Sequence, residues 1–178
     1  AFSSIAQVGF ILIGISGSSP EGSTSLVYFV LIYVFSNLAA FGVVSVVSAL
    51  TNKENISDFK GFYKTNPFLS WVLTISLFSL AGVPPTAGFF GKLFLLMAGA
   101  AKDNYGLIIF ASLNIVISFF YYLKVVKAIF MEEQDTPIQK LSIPKITQLA
   151  LYVCVLGIII TGLASWVYDY IHHLSIGI

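Results

Sequence analysis

Arginine is missing from this sequence: all nine basic residues are lysine, and eight acids leave a net charge of +1. That near-balance gives no electrostatic reason to expect a nucleic-acid partner. Charge is scarce as well as balanced. Only 10% of residues are charged, against about 25% in an ordinary soluble domain, so the chain cannot cover a water-facing surface. Its one cysteine, Cys154, excludes an internal disulfide. The neighbours Tyr152, Val153, Val155 and Leu156 make it a small apolar residue rather than a metal or redox ligand. No nucleotide loop, haem-ligand pair or cysteine cluster appears, so redox chemistry within the chain has no support. The opening Ala1-Phe2-Ser3-Ser4-Ile5-Ala6 carries neither an initiator methionine nor a charged leader. It reads as entry in mid-helix, and the expectation is a segment of a longer protein.

What the chain has in abundance is apolar surface: 57% hydrophobic residues, 16 Phe, 9 Tyr and a mean hydropathy of +0.92. This composition indicates an integral membrane protein. Phe2–Ser16 reads as a helix ending in the turn Gly17-Ser18-Ser19-Pro20-Glu21-Gly22. Residues 25–50, 107–131 and 147–171 are long enough to cross a bilayer, for which roughly 20 residues suffice. Residues 51–66 and 132–145 are charged loops.

Residues 67–101 are harder to read, because Gly82-Val83-Pro84-Pro85-Thr86-Ala87-Gly88 falls in their middle. Two adjacent prolines between glycines interrupt the backbone ladder. The segment is either two short spans or one span made of two half-helices, and charge bias decides between them. With one crossing, Lys53, Lys60, Lys64, Lys140 and Lys145 share a face, Lys124 and Lys127 lie toward it, and only Lys102 is opposite. With two crossings the lysines split evenly. The positive-inside rule favours one crossing, with those loops in the cytoplasm and the C-terminus outside. The expected fold is an all-α polytopic transmembrane helix bundle, a single domain over 1–178, with five spans of which one is discontinuous.

Irregular backbone at membrane depth needs protein or water to satisfy its freed polar groups, so the break at Gly82, Pro84, Pro85 and Gly88 implies an enclosed polar cavity of the kind transporters use. Lys92 follows the break and is the only charge between Lys64 and Lys102. A lysine so far from either face costs about 2.5 to 3.5 kcal/mol on insertion scales. Burial and the positive end of the half-helix starting near Thr86 both disfavour its ammonium, which suits a residue that must exchange a proton. The competing reading is a structural lysine, permanently charged and bonded to carbonyls freed at the break.

Weaker polar signals lie elsewhere. Ser3, Ser4 and Gln7 on the first helix are candidates for a water wire. So are Ser36 and Asn37 on the second, and Ser112, Asn114 and Ser118 on the fourth. Each has a plain alternative, since serines in membrane helices commonly pack helices or bond to backbone. Lys124 in Tyr121-Tyr122-Leu123-Lys124 is a proton inlet or a snorkelling anchor, and Lys127 is an anchor. Trp166, Asp169, His172 and His173 read as an interfacial belt. Glu132, Glu133 and Lys145 read as solvated loop charges.

The run Leu80-Ala81-Gly82-Val83-Pro84-Pro85-Thr86-Ala87-Gly88-Phe89-Phe90-Gly91-Lys92 resembles the lysine-bearing broken helix of the antiporter-like subunits of respiratory complex I and its photosynthetic relative. Ala1 through Phe10 resembles that family's Ala-Tyr-Ser-Ser helix. Ala40-Phe41-Gly42-Val43-Val44-Ser45, Ile56-Ser57-Asp58-Phe59-Lys60-Gly61 and the Tyr121–Lys124 run are similar to its subunit N branch. The branch also fits Ser36 and Asn37, where siblings carry a histidine or lysine. Gln7 stands where a histidine is common, so a charged relay is not expected there.

The resemblance implies the last five of about fourteen helices, with Lys92 as the terminal lysine of a proton channel facing the outer compartment. It implies a proton-translocating subunit of an NADH:quinone oxidoreductase in a bacterial plasma membrane, with other membrane subunits and the lipid bilayer as partners. NAD, flavin, iron-sulfur and quinone would reside on other subunits, with no cofactor or metal in this chain. The family's first half-channel would lie upstream, so these residues alone are not expected to pump. A secondary cation/proton antiporter subunit is the alternative function, and a non-transporting structural bundle a third.

Overall fold

The computed structural model of the chain describes residues 2–16, 20–101, 103, 105–134, 136–163 and 165–176. Every regular element among them is helical. Helix α1 spans Phe2–Ser16, α2 Pro20–Thr51, α3 Phe62–Thr65, α4 Pro67–Ala81, α5 Ala87–Ala100, α6 Tyr105–Met131, α7 Lys145–Leu163 and α8 Ser165–Ile176, with a 3-10 turn at Ile56–Phe59. Three of them, α2, α6 and α7, are long and apolar enough to cross a membrane, and α1, α4 and α5 are shorter apolar helices.

Two boundaries differ from expectation. Helix α2 starts at Pro20 rather than residue 25, because proline suits a first helical turn and Glu21 beside it favours the positive helix end. Pro20, Glu21 and Gly22 of the expected turn belong to α2, and Gly17, Ser18 and Ser19 lie outside the described residues, as does Lys102. The single helix expected over 147–171 is two, α7 and α8, with Ala164 between them outside the described residues. Helix α8 docks on α2, where Thr24 Oγ1 lies 3.2 Å from His172 Nδ1 and Ser25 Oγ 3.3 Å from Tyr168 OH. His172 therefore has an intramolecular partner, while Trp166, Asp169 and His173 are exposed, as an interfacial belt requires.

The bundle is apolar outside as well as inside. Helix α6 turns Phe110, Val116, Ile117 and Phe120 outward, the last 75% exposed. Monomeric soluble proteins rarely carry so large an apolar face. Helix α4 sits at the centre, and three of its buried hydroxyls bond to the carbonyl of the preceding turn. Ser70 donates to Asn66 O at 2.9 Å, Thr74 to Ser70 O at 2.7 Å and Ser76 to Val72 O at 2.9 Å.

The loops 51–66 and 132–144 meet at one end of the bundle. Lys60 pairs with Glu132 at 3.1 Å, Lys64 with Glu133 at 2.6 Å, and Lys127 reaches Glu132 at 3.7 Å. Buried Asn66 bridges the same loops, donating to Gln139 O at 3.0 Å and accepting from Leu141 N at 2.8 Å. Glu132 and Glu133 are thus partnered, not merely solvated.

Candidate functional site

Helices α4 and α5 are separated by residues 82–86. Pro67 opens α4 in the one helical turn where its missing N–H costs nothing. Gly82 closes it with φ +83°, a left-handed conformation that glycine adopts without strain. The Gly82 and Val83 amides bond back to Phe78 O, each at 3.0 Å, and Thr86 Oγ1 donates to Val83 O at 2.6 Å. The Pro84–Pro85 bond is cis. Gly88 lets the two helices touch, since a Cβ there would strike the Ser79 backbone. From α2, Ser36 Oγ donates to Ser79 Oγ at 2.7 Å and ties the break to its neighbour.

A helix leaves its last carbonyls without intrahelical partners. In α4 two of these belong to Leu80 and Ala81, and Lys92 reaches back from α5 to bond them. Its Nζ donates to Leu80 O at 2.7 Å and to Ala81 O at 3.2 Å. Lys92 is 2% exposed and is the one buried charged side chain among the described residues. The ammonium lies on the negative, carbonyl end of α4. The carbonyl bonding anticipated for a structural lysine is therefore present. The ring of Phe10 lies 5.0 Å from Nζ.

Leu80 O has a second donor, Gln7 Nε2 of α1, at 3.0 Å. The same nitrogen lies 3.5 Å from the hydroxyl of Tyr122 on α6, which is hydrogen-bonded to Ser3. A buried polar chain thus runs from Lys92 through the Leu80 carbonyl and Gln7 to Tyr122 and Ser3. Ser3, Tyr122 and Leu80 line a cavity of about 190 Å³ that extends past Leu77 and Phe59 to Glu54, at the loop end of the bundle. That is room for several waters, although most of its wall is apolar.

Of the candidates read from sequence, Ser3 and Gln7 belong to this chain and Ser36 supports the break. Ser4 and Asn37 are half-buried, and Ser112 is exposed. Asn114 accepts from Ser118 Oγ at 3.1 Å, and Tyr121 OH donates to Ser118 Oγ at 3.1 Å. Lys124 is exposed on the outer face of α6, lining an apolar trough with Phe119, Phe120 and Lys127, and the structure does not bring it to Lys92. That position suits the anchor reading. Tyr122 and Phe10 were not singled out from sequence. The i, i+4 spacing of Ser118 and Tyr122 was the one available signal for Tyr122.

Residues 1–118 match the family described as NADH:quinone oxidoreductase/Mrp antiporter, transmembrane. The chain is 43% identical, over its whole length, to an NADH-quinone oxidoreductase subunit N of Azobacteroides pseudotrichonymphae, and covers 38% of that relative. It is 38% identical to an NAD(P)H-quinone oxidoreductase subunit 2 of Synechococcus elongatus, covering 93% of this chain and 34% of the relative. The chain thus spans little more than a third of the length of these relatives. A chain of respiratory complex I from Thermus thermophilus superposes with a TM-score of 0.78 at 25% identity, over 94% of this chain and 38% of that one. A chain of the Mrp complex from Dietzia sp. superposes with a TM-score of 0.87, over 98% of this chain and 41% of that one. At 18% identity it speaks for the fold alone.

Proposed function

The chain belongs to the NADH:quinone oxidoreductase/Mrp antiporter transmembrane family, and from that premise we propose that it is part of a proton-translocating subunit of an NADH:quinone oxidoreductase in which Lys92 carries the proton. The observation that carries the proposal is the ammonium of Lys92, buried on two carbonyls freed at a helix break and linked by Gln7 to Tyr122 and Ser3.

Protonation and release proceed without redox chemistry in this chain. The neutral amine of Lys92 takes a proton from a hydronium ion reached through the cavity at Ser3 and Tyr122, which is left as water. An O–H bond breaks, an N–H bond forms, and the ammonium settles on Leu80 O and Ala81 O. Release reverses this toward the other side. The hydroxyls of Tyr122 and Ser3 can both donate and accept, so they can pass a proton along. The amide of Gln7 positions Tyr122 rather than carrying charge. Quinone reduction elsewhere in the complex supplies the energy, and NAD, flavin, iron-sulfur and quinone sites lie on other subunits.

In this reading α4 and α5 are the halves of one discontinuous span among five. At 1.5 Å per residue, 15 and 14 residues reach about 22 and 21 Å, each short of the roughly 30 Å hydrocarbon core. The ion pairs between loops 51–66 and 132–144 support the same topology, since they gather the lysine-rich loops at one end. By the positive-inside rule that end is cytoplasmic, in a bacterial plasma membrane, and the C-terminus is outside.

Replacing Lys92 with alanine in the intact complex tests the proposal. Proton pumping coupled to quinone reduction is lost while the complex still assembles. Normal pumping by the assembled variant overturns it. The family's link to Mrp antiporters favours one second reading, a cation/proton antiporter subunit. That reading expects Lys92→Ala to abolish cation exchange in vesicles without any quinone reductase.

A further inference from the structure

We infer that the ring of Phe10 is a gate, closing Lys92 off from a second cavity on the side opposite Tyr122. The inference rests on Lys92 being the proton carrier. The ammonium donates to Leu80 O and Ala81 O, and the Phe10 ring centroid lies 5.0 Å from Nζ. Phe10 also lines a groove of about 250 Å³ between α1 and α6, with Ala6, Gly9, Leu107, Ala111 and Asn114. Leu107 lies near the start of α6 and Ile13, also on the groove, near the end of α1, so it runs away from the loop end that holds Glu54. Asn114 gives that groove a polar group.

Lys92 is thus approached from two directions. One passes Ser3, Tyr122 and Leu80, where polar groups already connect. The other meets the ring of Phe10, 2% exposed and packed on Phe29 at 6.1 Å between centroids. A carrier in contact with water on both sides at once would let protons run back down their gradient. A phenyl ring offers water no strong hydrogen bond and turns about only two side-chain bonds, so it can block and clear a passage without moving the backbone. When it clears, the ammonium N–H gives its proton to a water in the groove and leaves a neutral amine.

The test is passive proton permeability of vesicles holding the intact complex, read with an internal pH dye and without electron donor. Phe10→Ala raises the leak several-fold, Phe10→Leu raises it less, and Phe10→Trp stays as tight as the parent. The Phe10→Ala leak returns to the parent level when Lys92→Met is added, because the path runs through the lysine. Should Phe10→Ala fail to assemble, the Phe10→Leu leak decides. Vesicles of the assembled Phe10 variants as tight as the parent overturn the gate, as does a leak that survives Lys92→Met. If Phe10 variants are tight while Lys92→Ala still abolishes pumping, the gate fails and the carrier stands. If Lys92→Ala pumps normally, the carrier fails and the gate with it.

Discussion

Lys92 and Gln7, on different helices, donate to one carbonyl: Leu80 O receives the ammonium at 2.7 Å and the carboxamide at 3.0 Å. A carbonyl has two lone pairs, so both donors are accommodated. The oxygen is available only because α4 stops at Ala81 and residues 82–86 do not continue its ladder. The break therefore creates the acceptor that holds the charge, and α1 shares it.

Tyr122→Phe isolates the contribution of one hydroxyl in this chain. The ring and its packing remain, while the bonds to Ser3 and Gln7 are lost. Proton pumping by the assembled complex falls several-fold, with little change in thermal stability. Gln7→Leu removes the second donor on Leu80 and the link to Tyr122. Lys92 still covers that carbonyl, so the stability cost is about 1 kcal/mol, and pumping falls as for Tyr122→Phe. Pumping at the parent rate in both variants removes this chain from the proton path.

Gly88→Ala tests the close approach of α4 and α5. Its Cβ would overlap the Ser79 backbone, which cannot swing aside as a flexible side chain can. Overpacking typically costs about 1–3 kcal/mol, and a backbone collision stands at the upper end. Gly106→Ala on α6 is the control, with nothing within 4 Å of its Cβ. The expected result is a marked loss of melting temperature for the first and none for the second, by thermal unfolding of the purified complex.

The break and its lysine were legible in the sequence because both rest on covalent facts. Adjacent prolines cannot continue a helix, and a charge inside an apolar run must find a partner. The inward face of α6 was not legible. Tyr122 and Lys124 stand two residues apart, roughly 200° around a helix at 3.6 residues per turn, so one turns inward and the other outward. Helix α6 is apolar nearly all round, and such a helix gives periodicity nothing to choose by. The motif was noticed, and the structure directs inward the tyrosine rather than the lysine. Gln7 and Phe10 were hidden for another reason. Their partners, a freed carbonyl on α4 and an ammonium from α5, exist only in three dimensions.

Acid should loosen the loop end of the bundle. The hydrogen bond from Lys60 chiefly lowers the Glu132 carboxyl below its ordinary 4.5, and that from Lys64 does the same for Glu133. Groups with a lowered folded pKa contribute stability that is present above the unfolded value and lost as pH falls through the folded one. Limited proteolysis within loops 51–66 and 132–144 therefore accelerates on acidification below the ordinary carboxylate range. The double variant Glu132→Gln, Glu133→Gln loses that pH dependence. Both pairs are solvent-exposed, so added salt weakens the protection at neutral pH as well.

Lys92→Arg separates a carrier from a fixed structural charge, where Lys92→Ala cannot. Arginine keeps a positive charge and has donors enough for Leu80 O and Ala81 O. A purely structural role therefore survives the change, once the larger head group is accommodated. Its guanidinium stays protonated under all physiological conditions, so it holds a proton and does not release one. Carrier function expects an assembled complex with parent-like melting temperature, quinone reduction unaccompanied by pumping, and no rescue by alkaline conditions. Pumping by Lys92→Arg at the parent stoichiometry would mean that the charge, and not its proton, is what the helix break was built to hold.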